Sequence, residues 1–205
     1  MGNNSFHYII QEIHGKDLQS SELNLPQAIK VGIRVIKSLE NLHNLGYIHG
    51  DIKPNNILST SGSWNHSKKI TLIDFGMSFK YLDDFGVHVA NRKVEFKSNQ
   101  WFASVHAFNG NMASRRDDII CLLYTLVYFL TGYRFIQKHA PTENEIGNFK
   151  LSNTPEQFCE GCEYLAPVLE EAYSYGFSDK PNYNKIIFLL KNTLIETLQT
   201  PISKF

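Results

Sequence analysis

The 205-residue chain is poor in cysteine, has no excess of either charge and carries no long apolar run. Its three cysteines, Cys121, Cys159 and Cys162, are too few for a disulfide framework. Cys159-Glu160-Gly161-Cys162 has the spacing of a redox or zinc pair, but a zinc site needs two further ligands nearby. All three thiols are therefore expected to be reduced and structural. Lys plus Arg equals Asp plus Glu, 20 against 20, so no net field draws the chain to nucleic acid or to an acidic membrane. The most apolar stretch, Ile119 to Leu130, falls short of the roughly 20 residues that span a bilayer. The start lacks the charged and apolar regions of a signal peptide, and Phe6 stands where a myristoylation motif needs a hydroxyl. The expectation is an intracellular protein with no membrane and no nucleic-acid partner. There is no internal repeat and no linker, so residues 1–205 read as one unit. A hydrophobic fraction of 42% is enough to build its core.

The chain opens with a strand pattern, Phe6 to Ile13, ending at Gly15. Asn24-Leu25-Pro26-Gln27 then starts a helix, with a capping side chain and a proline in the first turn. Ile29, Ile33, Ile36, Leu39 and Leu42 recur at steps of three and four, which predicts one buried face. Gly46 ends this helix. Ile57-Leu58 and Ile70 to Ile73 are short strands around a polar loop, and together they predict a hairpin. Ile119 to Leu130 predicts a helix buried on every side and closed by Gly132. Further helical pieces are expected at Glu156 to Phe158, Tyr164 to Tyr175 and Tyr183 to Leu198.

Between the first helix and the hairpin lies Tyr47-Ile48-His49-Gly50-Asp51-Ile52-Lys53-Pro54-Asn55-Asn56, and Asp74-Phe75-Gly76 follows the hairpin. An H-x-D-x-K-P-x-N pattern followed by D-F-G suits phosphoryl transfer, which asks a protein mainly to position groups and neutralise charge. A carboxylate must accept or orient a hydroxyl proton, and Asp51 is the candidate. A cation must sit near the transferred group, and Lys53 is the candidate. Magnesium prefers oxygen ligands, and Asn56 and Asp74 supply an amide oxygen and a carboxylate.

These motifs, with Ile73 to Tyr81, Phe102 to His106 and Ser114-Arg115-Arg116-Asp117-Asp118, resemble the protein kinases of the casein kinase 1 group. The resemblance runs from about Tyr8 to about Leu198. It implies a mainly α (α+β) fold, the large helical lobe of a kinase with a hairpin bearing the metal loop, plus the hinge strand. It implies ATP and Mg2+ as cofactors and a protein substrate. Gln11 would be the gatekeeper, Glu12 to His14 the hinge whose backbone meets adenine, and Leu58 and Ile73 the adenine floor. Asp118 would brace the catalytic loop, with His49 as further structural support.

The departures from the group are as informative. Gly50 stands where most kinases carry Arg, and Trp101 and Ser98-Asn99 replace residues usual in the group. Nothing before Phe6 reads as a Gly-rich phosphate loop, a strand lysine or its helix glutamate. The sequence therefore predicts a partial kinase domain, hinge plus large lobe, inactive or nearly so by itself, with a separate small lobe or a scaffold as a conceivable partner. The main expectation is a serine/threonine protein kinase. The alternative is a non-catalytic pseudokinase lobe that binds partners. A small-molecule phosphotransferase is a third reading, disfavoured by the D-F-G loop and the Ser114 to Asp118 motif.

Overall fold

A computed structural model describes residues 15–59, 69–96, 99–140 and 142–199. Its first helix, α1 (Leu25–Asn44), begins as the sequence dictates. The Asn24 side chain accepts from the Gln27 N–H at 3.1 Å, and Gln27 Oε1 accepts from the Asn24 N–H at 3.0 Å. Two otherwise orphaned donors are thus satisfied, and Pro26 has none to satisfy. The helix hands over to Gly46 at φ +86°, which turns the chain into β2 (Tyr47–Ile48). The buried face is rotated from the predicted one. Val31, Gly32, Val35 and His43 are buried with Ile29, Ile36 and Leu39, while Ile33 and Leu42 are only half-buried.

The rotation follows from the neighbour. Helix α3 (Arg115–Thr131) crosses α1 so closely that a Cβ on Gly32 would lie 2.8 Å from Leu126 Cδ1. A glycine therefore belongs in the contact face as much as an isoleucine does. Helix α3 is buried on all sides, including Ile119, Leu122, Tyr124 and Val127, and Gly132 closes it at φ +60°. Around these two lie α7 (Ala166–Ser174) against α3 and α8 (Tyr183–Gln199) against α1. An aromatic layer seals the far end of α3. Tyr133 donates to the Tyr124 carbonyl at 2.8 Å and stacks on Phe102, so a buried phenol is both packed and satisfied.

Two small sheets cap the helical body. In the first, β1 (Lys16–Asp17), β3 (Ile57–Ser59) and β4 (Ile70–Leu72) run antiparallel in the order β1-β3-β4. The β3–β4 register pairs Ile57 with Leu72 and Ser59 with Ile70. In the second, β2 pairs with β5 (Phe79–Lys80). The predicted hinge strand, with Gln11, Glu12 and His14, lies outside the described residues. No helix among the described residues is long and apolar enough to cross a membrane.

Three helices have no counterpart in the sequence reading: α2 (Val105–Phe108), α4 (Arg134–His139) and α5 (Glu143–Ser152). The core-facing residues of α5 are Ile146, Gly147 and Lys150, a set that draws no apolar stripe. The last elements, α6 (Pro155–Phe158), α7 and α8, match the expected pieces. Gly147 is in α5 because a Cβ there would meet the Phe108 ring at 2.0 Å. Gly147→Ala is expected to lower stability by roughly 1–2 kcal/mol in urea unfolding, since the clash outweighs the better helix propensity. A gain in stability would show that Phe108 is not held against α5.

Candidate active site

The residues between β2 and β3 form a loop tied at three points. The first tie is Asp118, in the first turn of α3 and fully buried. Its Oδ2 accepts from the His49 N–H at 2.8 Å and its Oδ1 from the Gly50 N–H at 2.9 Å. His43, at the end of α1, meets Oδ2 through Nε2 at 2.9 Å, and its Nδ1 lies 2.7 Å from the Tyr183 hydroxyl. Burial alone raises the Asp118 carboxyl, but the His43 hydrogen bond and charge and the Gly50 N–H outweigh it. The carboxyl is held below its ordinary value.

The second tie is His49, also buried. Its Nε2 lies 3.1 Å from the Ile73 carbonyl, which can only accept, so Nε2 carries the proton. That leaves Nδ1 to accept the Asp51 N–H at 3.3 Å. The ring also packs on Phe75 at 4.9 Å. One imidazole thus spans Asp51 and the residue before Asp74. The third tie is backbone: Ile73 N–H donates to the Asn56 carbonyl at 3.1 Å. The Ser78 hydroxyl adds a bond to the His49 carbonyl at 3.0 Å.

Within this frame, Asp51 Oδ2 accepts from Lys53 Nζ at 2.7 Å and from Asn56 Nδ2 at 2.9 Å. Asn56 Nδ2 also donates to the Asp51 carbonyl at 2.8 Å. Both contacts demand a donor, so the amide orientation is settled, and Asn56 Oδ1 takes no hydrogen bond among the described residues. Asp51 Oδ1 takes none either. Asp74 is exposed and left-handed, at φ 62° and ψ 74°, with Oδ1 accepting the Gly76 N–H at 3.2 Å. That backbone conformation is uncommon outside glycine and tolerable for aspartate.

Magnesium fits this donor set. No group of three or more His, Cys, Asp or Glu side chains comes together among the described residues. Magnesium does not require one, because it binds through one or two carboxylates plus phosphate oxygens and water. The spare oxygen of Asn56 and the exposed carboxylate of Asp74 are of that kind. Leu58 and Ile73 lie on the same small sheet and its exit, and neither joins the main apolar core, unlike Ile57, Ile70 and Leu72. Glu12 and His14 lie outside the described residues.

Two residues of the site had no signal in the sequence reading. His43 reads as a polar end to α1, and only the fold sets it against Asp118. Lys150 lies in a stretch to which the sequence assigns no element, and it is buried. Its Nζ donates to the carbonyls of Gln100 and Trp101 at 2.7 Å each and of Ala103 at 3.0 Å. It also lies over the Tyr124 ring at 4.3 Å. The segment 100–103 is thereby pinned by one ammonium. Burial pushes this ammonium down to about 7. Lys93, by contrast, donates to the Asn109 carbonyl at 2.9 Å, and Lys97 lies outside the described residues.

A sequence profile of the protein kinase domain matches residues 1–176, and the chain belongs to the protein kinase family. Within it, the chain is casein kinase 1-like. It is 33% identical over 180 residues to a casein kinase 1-like protein of Oryza sativa subsp. japonica, covering 84% of this chain and 25% of that one. It is 30% identical over 172 residues to a probable casein kinase I homolog of Encephalitozoon cuniculi, covering 78% and 52%. A probable serine/threonine-protein kinase of Dictyostelium discoideum is 29% identical over 192 residues, covering 88% and 38%. The chain thus spans between a quarter and about half of the length of these relatives.

Asp118→Ala removes the acceptor for three donors at once and is expected to cost roughly 3–5 kcal/mol in chemical unfolding. A loss below about 1 kcal/mol would mean that water replaces the carboxylate. Lys150 gives a pH signature. Between about pH 7 and its ordinary value of 10.5, the folded chain holds fewer protons on Lys150 than the unfolded chain does. Its contribution to stability is therefore least below pH 7 and rises with pH across that window. The stability of the wild type relative to Lys150→Met should grow by on the order of 1–2 kcal/mol from about pH 7 to 9. A flat difference would show an ammonium that keeps its proton.

Proposed function

We propose that the chain is the catalytic lobe of a serine/threonine protein kinase that transfers the γ-phosphoryl group of ATP to a protein hydroxyl. The observation that carries this reading is the Asp51 cluster. One carboxylate oxygen is held by Lys53 and Asn56 while the other takes no hydrogen bond among the described residues, and His49 ties the same residue to the strand that delivers Asp74. Family membership and the casein kinase 1-like relatives support it.

In this reading Asp51 Oδ1 accepts or orients the proton of the substrate hydroxyl. Lys53 offsets negative charge beside the transferred group and keeps Oδ2 from swinging away. Asn56 Oδ1 and the Asp74 carboxylate would hold Mg2+, which when bound neutralises charge on the phosphate oxygens. Leu58 and Ile73 would floor the adenine, with the backbone of Glu12 to His14 along its edge. Asp118 positions the loop through the N–H groups of His49 and Gly50 and touches neither substrate. Such a device favours rate over affinity, because catalysis by positioning depends on groups that do not have to be rearranged.

The test is transfer to casein by the protein at its natural length, with nucleotide binding measured alongside. Asp51→Ala should lower kcat by about 100- to 10,000-fold and leave the Kd for Mg-ATP nearly unchanged. Asp74→Ala should weaken Mg-ATP binding itself. Equal transfer by wild type and Asp51→Ala would refute the assignment, and loss of nucleotide binding only in Asp51→Ala would reverse the two roles.

A further inference from the structure

The His43 ring is buried at the end of α1, with both of its nitrogens engaged. Nε2 lies 2.9 Å from Asp118 Oδ2, and a carboxylate only accepts, so Nε2 holds a proton. Nδ1 lies 2.7 Å from the hydroxyl of Tyr183, the first residue of α8. The same Oδ2 takes the His49 N–H at 2.8 Å, two residues before Asp51. One oxygen is therefore shared by the imidazole and the catalytic loop. A tilt of the ring would draw that oxygen away from the loop.

The backbone of His43 is fixed separately. Its carbonyl accepts from the Tyr81 hydroxyl at 2.6 Å, and Arg115 Nη1 donates to that hydroxyl at 3.2 Å. Rotation of the ring remains, and Asp118 restrains only one of its edges. The Tyr183 hydroxyl restrains the other. A hydroxyl donates to a bare nitrogen and accepts from a protonated one, so this bond persists in either form of the ring. Burial pushes the Tyr183 hydroxyl above its ordinary value against the pull of Arg115, so the phenol keeps its own proton. The turn between α7 and α8 delivers that phenol. Asn182 N–H donates to the Tyr175 hydroxyl at 3.0 Å, which donates to Glu171 at 2.7 Å, and Arg115 Nη2 donates to the Ser178 carbonyl at 2.6 Å.

We propose that Tyr183 is a positioning residue for phosphoryl transfer, setting the ring plane of His43 and, through Asp118, the loop that carries Asp51. The proposal rests on the kinase reading above and adds to it a residue on the last helix that touches neither nucleotide nor acceptor. Packing alone accounts for the burial of an aromatic ring, so the hydroxyl is the group that distinguishes the two roles. Tyr183, His43 and Asp118 are all buried, and bulk solvent does not make good a bond lost along that chain. Without the hydroxyl, Nδ1 is left unsatisfied in either form of the ring, and the ring is free to turn in search of another partner.

Tyr183→Phe removes the hydroxyl and keeps the ring. In the protein at its natural length, kcat for casein should fall about tenfold, with KM for ATP and for casein within about twofold of the wild type. The His43 Nε2–H proton is identified in spectra of 15N-histidine-labelled protein by its loss in His43→Asn. In Tyr183→Phe it should exchange with solvent at least about tenfold faster than in the wild type. Tyr173→Phe is the control, since it removes another phenol hydroxyl, one bonded to Tyr124, and should change neither kcat nor that exchange rate. Wild-type kcat in Tyr183→Phe overturns the proposal, and so does an equal loss in Tyr173→Phe, which would mark general loosening. In the wild type alone, a His43 Nε2–H that exchanges as fast as that of a solvent-exposed histidine overturns it, whatever the variants do. Asp51→Ala is assayed alongside. Transfer by that protein removes the kinase reading and this proposal with it, whereas an inactive Asp51→Ala beside a fully active Tyr183→Phe removes only the role of Tyr183.

Discussion

The buried carboxylate of Asp118 is the constraint on which the site depends. A charge with almost no solvent exposure must have its lone pairs satisfied, or it costs several kcal/mol. Its donors come from the end of α1, through His43, and from the loop backbone, through His49 and Gly50. Tyr183, at the start of α8, completes the set by bonding to His43. Three helices and the loop therefore meet on one side chain, and none can shift without leaving a buried polar group unpaired. Rigidity at Asp51 follows from that penalty. It does not come from the loop itself, which has little regular structure of its own.

A second buried charge works in the opposite sense. Lys150 has no carboxylate among its hydrogen-bond partners, and three carbonyls and an aromatic face hold it instead. Carbonyl dipoles stabilise an ammonium less than a full counter-charge does, so burial prevails and the proton is held loosely. Asp118 anchors the loop over the whole neutral range. Lys150 anchors the 100–103 segment with a strength that depends on its proton.

Glycine positions serve the same economy. Gly32 lets α1 and α3 approach until side chains interlock, and Gly50 lets the loop press against the Met77 carbonyl. At Gly32 the Leu126 side chain excludes a Cβ, and at Gly50 the Met77 backbone does.

Local order was written in the sequence. The capping box at Asn24 and Gln27, the apolar helix closed by Gly132, the short hairpin and the order of Asp51, Lys53, Asn56 and Asp74 all depend on residues a few positions apart. Such signals survive in a linear reading because capping, helical periodicity and turn geometry act over one or two turns of chain. The tertiary structure alone decided which face of α1 is buried, that α5 is a helix with glycine and lysine inward, and that His43 serves Asp118 across 75 residues. It also decided that Gly50 packs against the Met77 carbonyl. Those outcomes depend on what stands opposite each side chain, and a polar residue's partner is chosen by the fold because desolvation is a penalty that only the assembled interior imposes.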